Sequence, residues 1–425
     1  MNFIKHIFEI VLNLQEHYDL HKCRLYDVKR APSKVILKKA AEIRKKNIIK
    51  VAFVVYDISK WKSEELYLQM LEHPRFEPVL VPVMCYHGDY VESTRQFDKC
   101  METLKAKNYK YIVGSPHVDI DDLVRPDIVF YGELYDGLFD KQYAFLYNTK
   151  RTSLACYVPY CFRNTNIPET INHLENNLVW MGFVENNYTL EDFRPIMTNN
   201  AVNHYVTGLP IQDSFIKAFQ NHQDVWKIQR TNKKCIIWAP SHTIKGENLR
   251  NAYEQSTFLD IADEMLQLVE KYKDSIQWAF KPHPVLKRKL IQVWGQERTD
   301  AYYAKWAELD NTQLEEGQYV DLFMGSDALI HDCMSFMVEY MYTEKPLLFL
   351  SNGHDNMNIC NTQTKEAFKL HYKGATIEEV ETFLLNIVMD EYDDLKTKRV
   401  EYKKKYLTPP NNRSSSQNII DAILG

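Results

Sequence analysis

Two patterns alternate along this chain. Short apolar runs rich in Val, Ile and Phe are separated by longer stretches whose apolar residues return at helical spacing. The first pattern reads as buried strand and the second as amphipathic helix. Strands are expected at 48–55 (IIKVAFVV), 77–84, 109–113, 127–131, 152–158 and 177–182, with helices over 61–71 and 97–105. After Val206, Thr207, Gly208, Leu209 and Pro210 the alternation restarts. Strands are then expected at 234–239, 275–281, 328–330 and 346–350, and helices over 215–226, 256–273, 376–389, 390–406 and 417–424. Strands alternating with helices predict βαβ units and parallel sheets. Ahead of this body, 3–18 and 33–46 carry amphipathic helical patterns.

The expected organisation is a helical arm (1–47), a Rossmann-like domain (48–210), a second Rossmann-like domain (211–406) and a tail with a short helix (407–425). Composition adds compartment and partners. The net charge of −5 is uneven: the first 50 residues hold 12 Lys/Arg against 5 Asp/Glu, leaving the rest at −12. A basic arm ahead of an acidic body could lie on anionic lipid, or could be a solvated helical pair packed on the body. Nucleic-acid binding is not expected, because the basic residues lack interleaved aromatics. No apolar run reaches the roughly 18 residues that span a bilayer, and the start does not read as a signal peptide. Eight scattered Cys with no C-x-x-C pair read as reduced thiols of a cytoplasmic protein.

The unusual polar residues sit where strands end. Strand 234–239 runs into Ser241 and His242, strand 275–281 into Lys281 and His283, and strand 328–330 into His331 and Asp332, with Ser335 and Glu339 on the helix that follows. Parallel strands deliver such ends to one edge of a sheet, where ligands of open α/β sheets bind. A Lys, three His, hydroxyls and carboxylates there suit transfer from an activated phosphate donor. Lys281 can pair with phosphate as a point charge. His242 or His283 can donate to a phosphoryl oxygen as its charge grows. Ser335 can bind phosphate beside helix N–H groups. Glu339, one turn further on, can hold ribose hydroxyls. Each also has a bland reading as a loop bond, a cap or a surface residue. The first half is expected to bring the acceptor, with His117, Glu133, Asp136 and Tyr160 in strand-end loops as candidate bases or positioning groups. No dinucleotide fingerprint, Walker loop, nucleophile elbow or zinc motif is present, so oxidoreductase and ATPase readings find no support. No resident metal or cofactor is expected, although a divalent ion accompanying a pyrophosphate is compatible.

The order VTGLP, IIWAPSHT, FKPHP and SDALIHDCMSFMVEYMYTEKPLLFL resembles the CDP-glycerol glycerophosphotransferases of teichoic-acid and capsule synthesis. The resemblance spans about 48–410 and is most specific over 206–350. It implies a GT-B fold of two facing Rossmann-like domains, the second binding the nucleotide donor. It implies transfer of glycerol phosphate or ribitol phosphate from a CDP-linked donor to a hydroxyl of a glycan or lipid-linked polymer, with release of CMP. His283, Ser335 and Glu339 carry over as donor-site residues, with Lys281, Ser241 and His242 near them. A peripheral place on the inner face of the cell membrane is also implied. Two departures stand out. The Trp-His-Gly motif of teichoic-acid polymerases is missing, and His331-Asp332-Cys333-Met334-Ser335 replaces the usual Thr-Asp-Tyr-Ser-Ser. The alternatives are a sugar-nucleotide glycosyltransferase on the same fold and a catalytically silent partner protein.

Overall fold

The computed structural model describes residues 33–85, 90–134, 140, 142–145, 152–228, 232–244, 255–317, 319–353 and 356–425. The expected helix at 3–18, most of the arm, and Asp136 lie outside the described residues. The chain forms two compact units. One comprises the described residues up to Cys161, Asn166–Asp213 and Pro409–Gly425; the other comprises Phe162–Thr165 and Ser214–Thr408.

The first unit is built on a six-stranded sheet. Its strands are β1 (Ile49–Val55), β2 (Phe76–Pro82), β3 (Ile128–Tyr131), β4 (Leu154–Tyr157), β5 (Met181–Val184) and β6 (His204–Val206), in the order β2-β1-β3-β4-β5-β6. All pairings are parallel. Apart from Lys50 on β1 and Glu77 on β2, these first two strands are buried along their length, which is why they read as apolar runs rather than alternations. Phe53 and Phe130, partners across β1 and β3, stack at 4.8 Å. The sheet order reverses between β1 and β3. Such a switch point opens a crevice at the strands' carboxyl ends.

The second unit repeats the plan with β7 (Lys234–Ala239), β8 (Ile276–Phe280), β9 (Thr312–Leu314), β10 (Ala328–His331), β11 (Leu347–Leu350) and β12 (Tyr372–Gly374). Their order is β12-β11-β10-β7-β8-β9, again all parallel, with the switch between β7 and β10. Helix Phe258–Lys271 covers one face through Ile261, Ala262, Met265, Leu268 and Val269. Trp238 stacks on Phe258 and Phe280 on Trp306. Each sheet anchors a strand start with one carboxylate. Asp127 accepts the Lys50 N–H (3.0 Å) ahead of β3, and Asp327 accepts the Cys235 N–H (2.7 Å) ahead of β10.

Several expected elements differ. Residues 109–113 run beside β2 with a single bridge, Leu80 to Tyr111, rather than as a full strand, and Ile112 and Val113 are exposed. Residues 177–182 divide between the end of helix Leu174–Leu178 and the start of β5. Helix 215–226 begins earlier, at Pro210, and ends at Gln220. The stretch 390–406 is helical only from Lys396. Strands β6, β9 and β12 are three residues each and were not anticipated; so short an apolar signal merges with loop. The tail belongs with the first unit. Asp213 accepts the N–H groups of Ser415 (2.7 Å) and Ser416 (2.8 Å) and the Ser416 hydroxyl (2.6 Å), capping helix Ser415–Leu424. Gly208 (φ +78°) makes this closure possible, since a Cβ there would lie 2.3 Å from Ser415 Oγ.

Candidate active site

At the second switch point the exits of β7, β8 and β10 are tied together. Asp332, 1% exposed, takes the Ser241 N–H on Oδ1 (2.5 Å). Its Oδ2 takes the Thr257 N–H (2.8 Å) and hydroxyl (3.2 Å). The Asp332 carbonyl accepts Gln255 Nε2 (2.9 Å), and Ser256 Oγ donates to the Ser241 carbonyl (3.2 Å). One residue therefore fixes both ends of the β7-to-helix connection to the β10 exit. Burial raises the Asp332 pKa above the usual carboxylate value, and the donated hydrogen bonds oppose that.

The β8 exit joins through backbone and ring. His283 N–H donates to the Pro240 carbonyl (3.0 Å). The His283 ring stacks on His242 at 4.0 Å. Val285 N–H donates to His283 Nδ1 (3.2 Å), which leaves the proton of the neutral ring on Nε2. Both rings are half-buried, so they reach the surface of this edge. The Ser241 hydroxyl meets Thr243 Oγ1 (3.2 Å). Lys281, 7% exposed, donates from Nζ to the Gly317 carbonyl (3.0 Å) and lies 5.3 Å from the Tyr319 ring centre. Tyr319 donates to Glu339 Oε2 (2.6 Å), so Glu339 is reached through Tyr319.

Two residues from the sequence reading stand differently. His331 is fully buried. Its Nδ1 donates to the Cys333 carbonyl (3.0 Å) and its ring packs against Phe349 and His371. Alternation along β10 turns it into the core while Asp332 takes the loop side. Burial pulls its pKa down to about 3. Ser335 is half-buried at the start of a helix of only four residues, Phe336–Glu339, followed by a 3₁₀ turn, and its hydroxyl makes no cap bond. The anion-binding field expected there is therefore that of a single turn.

The first switch point has its own cluster. Tyr56, just past β1, donates to Glu133 Oε2 (2.8 Å), just past β3. Lys60 Nζ lies 3.9 Å from the same oxygen, and 5.6 and 5.3 Å from the ring centres of Tyr56 and Tyr160. Burial, and then the Glu133 charge, raise the Tyr56 pKa, so its hydroxyl stays a donor. His117 is exposed on another loop, with its N–H on Ser115 Oγ (3.4 Å).

Tyr56, Lys60, Thr257 and Tyr319 were not read from the sequence. Tyr56 was within reach, because it is the first polar residue after an obvious strand. Thr257 carries the cap signal of a helix start. Tyr319 has no local signal, since its place depends on the path between β9 and β10.

Two parallel α/β units with polar residues gathered at their switch points make a GT-B-like architecture. The model of the CDP-glycerol:poly(glycerophosphate) glycerophosphotransferase family matches residues 171–425, and the chain belongs to that family. It is a transferase of the glycerophosphotransferase type. No curated protein matches the chain. Among solved structures, the wall teichoic acid polymerase TagF is similar over 99% of this chain and 95% of that one, at 13% identity and a TM-score of 0.59. A second TagF structure, soaked with CDPG, is similar at 12% identity and 0.58, over 99% and 96% of the two chains. The UDP-GlcNAc 2-epimerase from Neisseria meningitidis bound to UDP-GlcNAc is similar over 88% of this chain and 99% of that one, at 15% and 0.52. At these identities the likenesses concern the fold alone. No helix among the described residues is long and apolar enough to cross a membrane, and no three His, Cys, Asp or Glu among them group to hold a metal.

Proposed function

We propose that this enzyme transfers glycerol phosphate, or ribitol phosphate, from a CDP-linked donor to a hydroxyl of a cell-surface glycan or polymer and releases CMP. The observation that carries this reading is the stacked His242–His283 pair beside Lys281, on strand exits locked by Asp332. His283 Nε2–H is a donor for a phosphoryl oxygen whose negative charge grows during transfer. Lys281, two residues before His283 on the same strand exit, supplies positive charge. Tyr319 stands between this edge and the buried Glu339, whose carboxylate takes its hydroxyl and holds the ring for contact with the nucleoside. In the reaction the acceptor oxygen bonds to the phosphorus that carries the alditol. The bond from that phosphorus to the bridging oxygen breaks, its electron pair leaves with CMP, and the acceptor proton passes to a base.

Family membership supports the donor class, and the TagF likeness supports the architecture. A peripheral membrane place is part of the proposal. Helix Lys34–Arg44 exposes Val35 and Leu37 among Lys34, Lys38 and the flanking Lys45 and Lys46, a composition suited to anionic lipid. A second reading on the same fold is glycosyl transfer from a sugar nucleotide with release of a nucleoside diphosphate, because fold does not fix chemistry. The test is His283→Ala. Loss of one charge-stabilising donor lowers kcat by about 100-fold or more with the fold retained. Unchanged turnover would remove His283 from the chemistry.

A further inference from the structure

The first unit carries a second polar centre that the family match does not reach, since Tyr56, Lys60, Glu133 and Tyr160 all precede residue 171. Its position follows from topology. The sheet order β2-β1-β3 places the β1 and β3 exits side by side at the reversal, and β4 adds its own exit next to β3. Tyr56, Glu133 and Tyr160 lie one, two and three residues past the ends of those strands.

The chemistry of the set is specific. Glu133 is an acceptor whose side chain keeps 8% of its surface, ordered by the Tyr56 hydroxyl at 2.8 Å. Lys60, with 29% of its side chain exposed, places a cation 3.9 Å from that carboxylate. The same ammonium sits within cation–π range of both Tyr rings. Asp57, 9% exposed, is occupied by Ser59, whose N–H (2.8 Å) and hydroxyl (2.7 Å) it accepts, and so holds the turn that carries Lys60. A carboxylate acceptor, an ammonium donor and a half-buried aromatic face are what a polyol or sugar needs. Its hydroxyls bond to the charged pair and its C–H face lies on the ring.

We infer that the Tyr56–Lys60–Glu133–Tyr160 cluster of the first unit is a binding site for the hydroxyl-bearing acceptor, a glycan or polyol-phosphate chain. This rests on the proposed transfer reaction, which requires such an acceptor. Glu133 accepts a hydrogen bond from an acceptor hydroxyl, Lys60 donates to a hydroxyl or phosphate oxygen, and Tyr160 packs on the carbon face.

The experiment compares Glu133→Gln, Lys60→Met and Tyr160→Ala with the wild type in the full chain. Two readouts are used: steady-state KM for acceptor and for donor, and direct calorimetric binding of short glycerol-phosphate oligomers and of a neutral glycan fragment without donor. The expected result is an acceptor KM raised about tenfold or more in each variant, donor KM within about twofold, and oligomer binding weakened in parallel. Lys60→Met should weaken the phosphate-bearing oligomer more than the neutral fragment. Tyr160 and Lys60 are partly exposed, so their variants remain informative if Glu133→Gln unfolds. Acceptor KM and oligomer binding unchanged in Lys60→Met and Tyr160→Ala would overturn the site. If wild type instead consumes a sugar nucleotide, the proposed donor fails while the same acceptor comparison, run with that donor, still decides the site.

Discussion

His331 and His371 make the second unit acid-sensitive in a way that can be calculated. Both rings are buried, their centres 5.3 Å apart, and each Nδ1 donates to a carbonyl: His331 to Cys333 (3.0 Å) and His371 to Ala367 (2.8 Å). Each Nε2 is buried without a hydrogen-bond partner. Burial lowers the His331 pKa to about 3; it also pulls His371 well below the ordinary value, and His331 and Lys373 add to that. The sign is fixed by linkage. Both groups have native pKa values below the unfolded one near 6.5, so the unfolded chain binds protons first as pH falls. Their contribution is fully present above about pH 6.5 and is lost progressively below it, towards pH 3 for His331. Between pH 7.5 and pH 5 the His331 ring costs about 2 kcal/mol, and His371 adds a loss of the same sign. His331→Phe removes one ring's share and leaves an apolar group facing Phe349. Urea unfolding followed through Trp238, Trp278 and Trp306 of the second unit should show the variant losing about 2 kcal/mol less than wild type across that interval. Parallel loss in the two proteins would refute the reasoning.

The remaining predictions concern how the second switch point and the tail helix are held. Asp332→Ala leaves the Ser241 and Thr257 N–H groups and the Thr257 hydroxyl without their acceptor, at about 1–3 kcal/mol each. Relief of a buried charge offsets part of this, so thermal unfolding should show a net loss of about 2–4 kcal/mol, with Asp332→Asn intermediate; an unchanged midpoint would mean the carboxylate does not lock the exits. Gly208→Ala forces a left-handed φ on alanine and drives its Cβ against Ser415 Oγ. It should destabilise the first unit by roughly 1–3 kcal/mol and speed hydrogen exchange in helix Ser415–Leu424; wild-type exchange there would contradict the closure.

What the sequence made legible follows from burial. Strands such as β1, β7 and β11 are enclosed on both faces, so their apolar runs declare them without any tertiary knowledge. Edge strands β6, β9 and β12 are too short for a periodic signal and exist because a neighbour offers a ladder. The candidate donor edge was legible because parallel strands must deliver Ser241, Lys281 and Asp332 to one side. The division of labour there was not. Residues 331 and 332 are adjacent in sequence, yet the pleat sends one ring into the core and one carboxylate into the loops. Glu339 read as a ribose ligand, and its bond to Tyr319 depends on a chain path that no local pattern encodes. Nothing local sets Glu133 apart from its neighbours, because Tyr56 and Lys60 come to it from the exit of another strand.

The identity of the released nucleotide tests the central claim most directly. Purified protein is incubated with CDP-glycerol, CDP-ribitol and common sugar nucleotides together with a crude glycan acceptor, and the nucleotide products are separated by chromatography. Release of CMP, dependent on acceptor and on a CDP-alditol, is the predicted result. Release of UDP or another nucleoside diphosphate from a sugar nucleotide, with the CDP-alditols untouched, would contradict alditol-phosphate transfer.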